Sequence, residues 1–269
     1  MSGELTFAVF ALSGLVAGFL AGLFGIGGGL IMVPVLVSVF TATGFATQHV
    51  VAMSLGTSLA AIVFSAAQSA YGHYKRGSAS LDMVRRAAPW VVLGVVFGSV
   101  VATGTGRTPL LVFIGGFQLV AAALMIVNVS RLGMLQIVAQ KETALRLCSM
   151  AFGAVAALAG TGGGTLFTPY FTASGMEPKQ AIGTSAAIGL PVSIAGALGY
   201  VWEGHGVDLG QWMLGYVNVP ALAALVIGTL VTVRFGVAVA HRLPARMLAG
   251  AFAVFLVING SHLLYLAVR

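Results

Sequence analysis

Two stretches of this chain carry backbone groups that could hold an anion without any charged side chain. Gly22-Leu23-Phe24-Gly25-Ile26-Gly27-Gly28-Gly29-Leu30-Ile31-Met32-Val33-Pro34 and Gly160-Thr161-Gly162-Gly163-Gly164-Thr165-Leu166-Phe167-Thr168-Pro169 each place a glycine cluster five residues ahead of a proline, inside a long apolar segment. Glycine is a weak helix former and proline a weaker one, so each cluster is expected to break a helix. Where the second arm starts, after Gly29 and after Gly164, the first N–H groups lack a helical partner and carry the positive end of the dipole. Helix N-termini bind anions for that reason, and glycine lets a ligand come close to the backbone. The first arm ends nearby with its negative pole. Hydrogen bonds from the amides of Gly27, Gly28, Gly29 and Leu30, and of Gly162, Gly163, Gly164 and Thr165, must therefore supply most of the attraction. Thr161, Thr165 and Thr168 add hydroxyls. The competing role for such clusters is close helix packing through small residues.

A second element follows each cluster. Gly56-Thr57-Ser58 and Gly183-Thr184-Ser185 place paired hydroxyls beside a glycine, deep in the next apolar run. They could complete an anion cage with the amides, or return their hydrogen bonds to their own helix. Gly56 and Gly183 are expected, with Pro34 and Pro169, to mark helix breaks.

The rest of the sequence limits the chemistry. With 59% hydrophobic and 7% charged residues and a mean hydropathy of +1.03, the chain is a polytopic membrane protein. Glu4, Asp82, Glu142, Glu177, Glu203 and Asp208 all fall at run ends or in loops, which disfavours a cation pump. No Lys or Arg lies deep in an apolar run, so an anion would be held by neutral donors. The net charge of +7 sits in short loops, a topological pattern that argues against nucleic acid. Cys148 stands alone, which excludes an internal disulfide and a cysteine metal cluster. Gly25-Ile26-Gly27-Gly28-Gly29-Leu30 lacks the third glycine, the strand and the acidic residue of a dinucleotide fingerprint, so no cofactor is expected. No acid, base, nucleophile or metal set clusters as an enzyme would need. Met1-Ser2-Gly3-Glu4 lacks the positive start of a cleavable signal, and the first run is expected to be retained.

Eight apolar runs must position these residues: 5–40 and 143–174, both interrupted by glycines, and 46–71, 87–105, 109–129, 178–201, 211–233 and 245–267. Each uninterrupted run is one crossing. The interrupted runs could be one long crossing, a re-entrant hairpin or two short crossings. Charge decides. If each interrupted run returns to its side of origin, Lys75, Arg76, Arg85, Arg86, Arg131, Lys141, Arg146, Lys179, Arg234, Arg242 and Arg246 share one side, leaving Arg107 and Arg269 opposite, a split of 11 against 2. A single crossing gives 8 against 5. The positive-inside rule favours the first, with both termini outside. Each half then makes an odd number of net crossings, and the halves form inverted-topology repeats, residues 1–135 and 136–269 of one membrane domain. Tyr71, Tyr74, Trp90, Tyr200, Trp202, Trp212 and Tyr265 lie near run ends and read as interfacial anchors. Gln68, Gln118, Asn128, Asn218 and Asn259 could line a path, though interhelical hydrogen bonding explains most such residues. His49 and His73 lie at helix ends, where they read as solvated interfacial groups, with pH sensing in a proton-coupled permease as the alternative.

The twin clusters, each followed by a proline and then by Gly-Thr-Ser, in two similar halves, resemble the TauE/SafE sulfite exporter family of bacterial permeases. The resemblance implies an all-α inner-membrane transporter of small anions such as sulfite, sulfoacetate and related sulfonates, acting in export. It maps family function onto Gly27, Gly28, Gly29, Pro34, Gly56, Thr57, Ser58, Gly162, Gly163, Gly164, Pro169, Gly183, Thr184 and Ser185. The expected partners are a small anion and the lipid bilayer, with a homo-oligomer left open. The rival readings are proton-coupled uptake of a sulfur oxyanion and a non-transporting assembly subunit.

Overall fold

The structure is a computed structural model that describes residues 3–24, 28–126, 142–240 and 245–268. These form ten helices: α1 Gly3–Phe24, α2 Gly29–Ala42, α3 Thr47–Lys75, α4 Leu81–Gly104, α5 Arg107–Ile126, α6 Glu142–Ala159, α7 Gly164–Ala173, α8 Pro178–Glu203, α9 Val219–Ala240 and α10 Ala245–Val268. Before α9 comes a two-stranded antiparallel hairpin, β1 Met213–Leu214 and β2 Val217–Asn218. The apolar run expected over 211–233 is thus a hairpin followed by a helix. Its start is set by Asn218, whose side-chain carbonyl accepts from the Ala221 amide at 2.9 Å as an N-cap.

Among the described residues six helices are long and apolar enough to span a bilayer: α1, α3, α4, α6, α8 and α9. The second arms are too short. At 14 and 10 residues, α2 and α7 reach about 21 and 15 Å, below the roughly 30 Å of hydrocarbon. Each folds back on its first arm. The Phe10 ring of α1 meets Phe40 of α2 with centroids 5.9 Å apart, and Phe152 of α6 meets Phe167 of α7 at 5.2 Å.

Glycines at four-residue spacing let helices pack backbone to backbone. On α1, Gly14, Gly18 and Gly22 lie against Leu225, Thr229 and Val233 of α9, so the two helices run parallel. Likewise Gly94 and Gly98 of α4 lie against Met150 and Ala154 of α6. Across the centre the sense reverses. Gly56 of α3 abuts Tyr200 of α8 while Gly196 abuts Leu59, and Gly115 of α5 abuts Leu264 of α10 while Gly260 abuts Leu119. Exchanging α1–α5 with α6–α10 therefore maps these pairs onto one another.

Two anchors differ from expectation. Tyr200 is not interfacial: it is fully buried, and its hydroxyl donates to the Ala157 carbonyl at 3.0 Å. His73 is not solvated either. It is buried, with Nδ1 3.1 Å from the Ser78 hydroxyl. Trp202, Trp212, Tyr71, Tyr74 and Tyr265 are exposed as belt residues should be.

Candidate functional site

The two glycine breaks come together. A methyl group added at Gly29 would collide with the Gly160 carbonyl, and one added at Gly160 would meet Val33 and Leu55. Gly28, the residue before α2, has φ 82°, and Gly160, just after α6, has φ 61°. Both are left-handed conformations that a side chain disfavours, so the breaks need glycine for their backbone as well as for the close approach. Ser58 of α3 ties the junction, donating to the Gly160 carbonyl at 2.9 Å.

Each second arm then begins in the same way. The amides of Ile31 and Met32 close onto the Gly28 carbonyl at 3.1 and 3.2 Å, and those of Leu166 and Phe167 close onto the Gly163 carbonyl at 3.3 and 2.9 Å. The amides of Gly29 and Leu30, and of Gly164 and Thr165, stand ahead of those ladders at the positive helix ends. The Thr161 and Thr165 hydroxyl oxygens are 3.2 Å apart. Gly163 sits against the Ser185 carbonyl and the Gly189 amide. Gly28, Gly29, Leu30, Thr161, Gly162, Gly163 and Gly164 are buried, and Thr165 is half-buried. Gly27 lies outside the described residues. The side chains that touch the junction are uncharged, so attraction for an anion there comes from N–H and O–H donors.

The breaks are at the glycines alone. Pro34 and Pro169 lie inside α2 and α7, and Gly56 and Gly183 lie inside the uninterrupted α3 and α8. These residues do something else. Proline has no N–H, so Pro34 leaves the Leu30 carbonyl, four residues earlier, without its helical donor. Gln118 of α5, fully buried, donates to that carbonyl at 3.2 Å. Reading Gln118 as one of several polar residues in apolar runs missed this pairing; the signal was the proline four residues beyond Leu30.

The Gly-Thr-Ser motifs dock the halves together. Gly56 abuts the Tyr216 carbonyl, and the Thr57 hydroxyl accepts from the Asn218 amide at 3.0 Å. Gly183 abuts the Ser78 carbonyl, and the Thr184 hydroxyl accepts from the Ser80 amide at 3.0 Å. Asn218 and Ser80 are the N-caps of α9 and α4, so each motif seats the start of a helix from the opposite half. Thr57 and Thr184 therefore each accept from a backbone amide of the opposite half. Ser185 returns its hydrogen bond to Ala181 of its own helix at 2.7 Å, whereas Ser58 reaches the junction. Among the other polar candidates, Gln68 donates to the Leu230 carbonyl at 3.4 Å and Asn259 to Phe255 of its own helix at 3.0 Å. Asn128 lies outside the described residues.

Comparison with known proteins gives one family match and several membrane-transporter relatives. The family model described as "Sulfite exporter TauE/SafE" matches residues 10–263. A "Probable membrane transporter protein" of Haemophilus influenzae is 32% identical over 250 residues, covering 92% of this chain and 94% of the relative. "Probable membrane transporter protein MJ0441" of Methanocaldococcus jannaschii is 23% identical, covering 93% and 92%. "Probable membrane transporter protein YunE" of Bacillus subtilis is 25% identical, covering 97% and 98%. No solved structure gives a significant match.

Proposed function

The chain belongs to the TauE/SafE sulfite exporter family, a family of membrane transporters rather than enzymes, and from that premise we propose that it exports small anions through the junction of its two helix breaks. The substrates are sulfite, sulfoacetate or related organosulfonates, and the membrane is the bacterial inner membrane. The observation that carries the proposal is the contact between Gly29 and Gly160, which sets the start of α2 against the glycine break between α6 and α7. Amides at the starts of α2 and α7, with a hydroxyl of the Thr161–Thr165 pair, supply neutral donors for an anion, while Ser58 braces the junction by donating to the Gly160 carbonyl. Donors of this kind attract the anion and still let it leave.

The halves, residues 1–135 and 136–269, are read as inverted repeats. In support, α3 and α8 pack antiparallel, as do α5 and α10, and these are the helices that correspond between halves. Both second arms are too short to cross, which agrees with re-entrant hairpins and with the 11 against 2 charge split. Direction follows from charge. An inside-negative potential contributes about 2.3 kcal/mol per elementary charge per 100 mV towards expelling an anion, so export needs no coupling ion.

The test is efflux from liposomes loaded in turn with sulfite, sulfoacetate, thiosulfate and a carboxylate control, under an imposed potential. Efflux of a sulfur anion that rises with inside-negative potential is expected. Indifference to potential would overturn uniport of a charged species, and uptake that requires a proton gradient would establish the coupled permease instead.

A further inference from the structure

The foot of α7, at the end away from its glycine break, borders a cavity of about 360 Å³. Arg86, Gln180 and Tyr170 give it a polar wall, and Met83, Leu145 and Phe171 an apolar one. Arg86 of α4 donates to Glu142 from Nε at 3.1 Å and again from Nη2, and its Nη1 has Asp82 at 3.6 Å, while Glu142 is shared with Arg146, whose Nε is 3.3 Å away. The Arg86 side chain remains 42% exposed. Its guanidinium is thus held in place by carboxylates while keeping open donors for a further acceptor.

A second observation concerns the opposite face of the same helix. Thr165, Thr168 and Thr172 stand three and four residues apart, on one face of α7. They begin at Thr165, whose hydroxyl pairs with Thr161, and Thr172 returns its hydrogen bond to the Thr168 carbonyl at 2.8 Å. The Thr168 hydroxyl oxygen is buried with no hydrogen-bond partner among the described residues. It is one of several buried polar atoms in that state, Gln118 Oε1 beside α2 among them. At the matching positions of α2, counted from Gly29 as these are from Gly164, stand Leu30, Val33 and Val37, all fully buried. Only one of the two arms carries hydroxyls at these positions.

We propose that the cavity is a waiting site for the anion on the side that carries most Lys and Arg, at the foot of the hydroxyl-bearing arm. The site takes a small sulfonate with a short carbon body: the sulfonate oxygens on Arg86 and Gln180, the carbon against Met83, Leu145 and Phe171. Bare sulfite uses the polar wall alone and is held more weakly. This inference rests on the junction being the transport site, and its test separates the two.

The probe is Ser174, which also lines the cavity. Ser174→Cys in a Cys148→Ser background, reconstituted in phosphatidylcholine liposomes, is labelled with N-ethylmaleimide with and without sulfoacetate. Sulfoacetate is expected to slow labelling several-fold. That protection disappears in Arg86→Gln, returns in part in Arg86→Lys, and persists in Gly29→Val although efflux is blocked. Labelling unaffected by sulfoacetate, alongside normal efflux, overturns the waiting site and leaves the junction standing. Protection without any efflux of sulfur anions has the reverse meaning. If phosphatidylglycerol in the bilayer protects the introduced thiol and sulfoacetate does not, the cavity holds a lipid headgroup and the proposal fails.

Discussion

The two broken segments share a plan and differ in what surrounds it. In both, glycines end one helix, a short helix folds back, and a proline sits five residues after the last glycine. The first arm pair is sealed. α2 is apolar and almost wholly buried, and Gln118 closes the carbonyl that Pro34 leaves open. The second arm pair is looser. α7 is four residues shorter than the 14 of α2, mostly half-buried, hydroxyl-bearing and bordered by a cavity. The Thr165 carbonyl, left open by Pro169 as Leu30's is by Pro34, lies on the hydroxyl-bearing arm. One backbone device is thus enclosed in one half and half-exposed in the other. Duplicated sequence supplies the device, and the side chains at matching positions decide its use.

The largest expected effect breaks the junction that both arms share. Gly29→Val drives a side chain into the Gly160 carbonyl, and efflux should fall by about a hundredfold or more, some 2.7 kcal/mol of barrier, while the protein stays membrane-inserted. Retained efflux would reduce the junction to packing. Next comes Gly163→Ala, where the added carbon would lie 3.2 Å from the Ser185 carbonyl oxygen and 3.3 Å from the Gly189 amide. Those contacts are tight but can relax, so a loss of about tenfold is expected. A greater loss than in Gly29→Val would place the critical contact in the second arm instead.

Gln118→Leu tests the seal. It leaves the Leu30 carbonyl buried and unpaired at a cost of about 1–3 kcal/mol, read as a fall in Tm of roughly 2–10 °C. His262→Leu, at an exposed α10 position 3.3 Å from Ser38, should change Tm little. Equal losses would contradict the seal. Thr57→Val and Thr184→Val sharpen the comparison from the other direction, because the docking motifs are alike where the arms differ. Each removes one acceptor for a cap amide, and the two should destabilise equally, by about 1 kcal/mol in denaturant titration. The smallest perturbation is a label. Gln48→Cys and Lys179→Cys are at exposed ends of α3 and α8 and should react from opposite faces of the membrane without altering efflux. Labelling of both from one face would overturn the inverted arrangement.

Composition and run length in the amino-acid sequence were enough to define an all-helical membrane protein, because apolar segments and glycine clusters report directly on what lipid permits. The twin clusters and the twin Gly-Thr-Ser motifs were equally legible, since each is short and local. Pairing was not. Nothing in the order of residues says that Thr57 caps onto Asn218 or Thr184 onto Ser80, or that Tyr200 turns inward to Ala157 when Trp202 beside it faces out. Those outcomes depend on which helix lies alongside, and a buried polar atom takes whichever donor or acceptor the packing brings within reach. The same holds for the contrast between α2 and α7. Their glycine breaks are legible twice in the sequence, but the enclosure of one arm comes from its side chains together with the packing of α1, α3 and α10 around α2, where α7 rests mainly on α8.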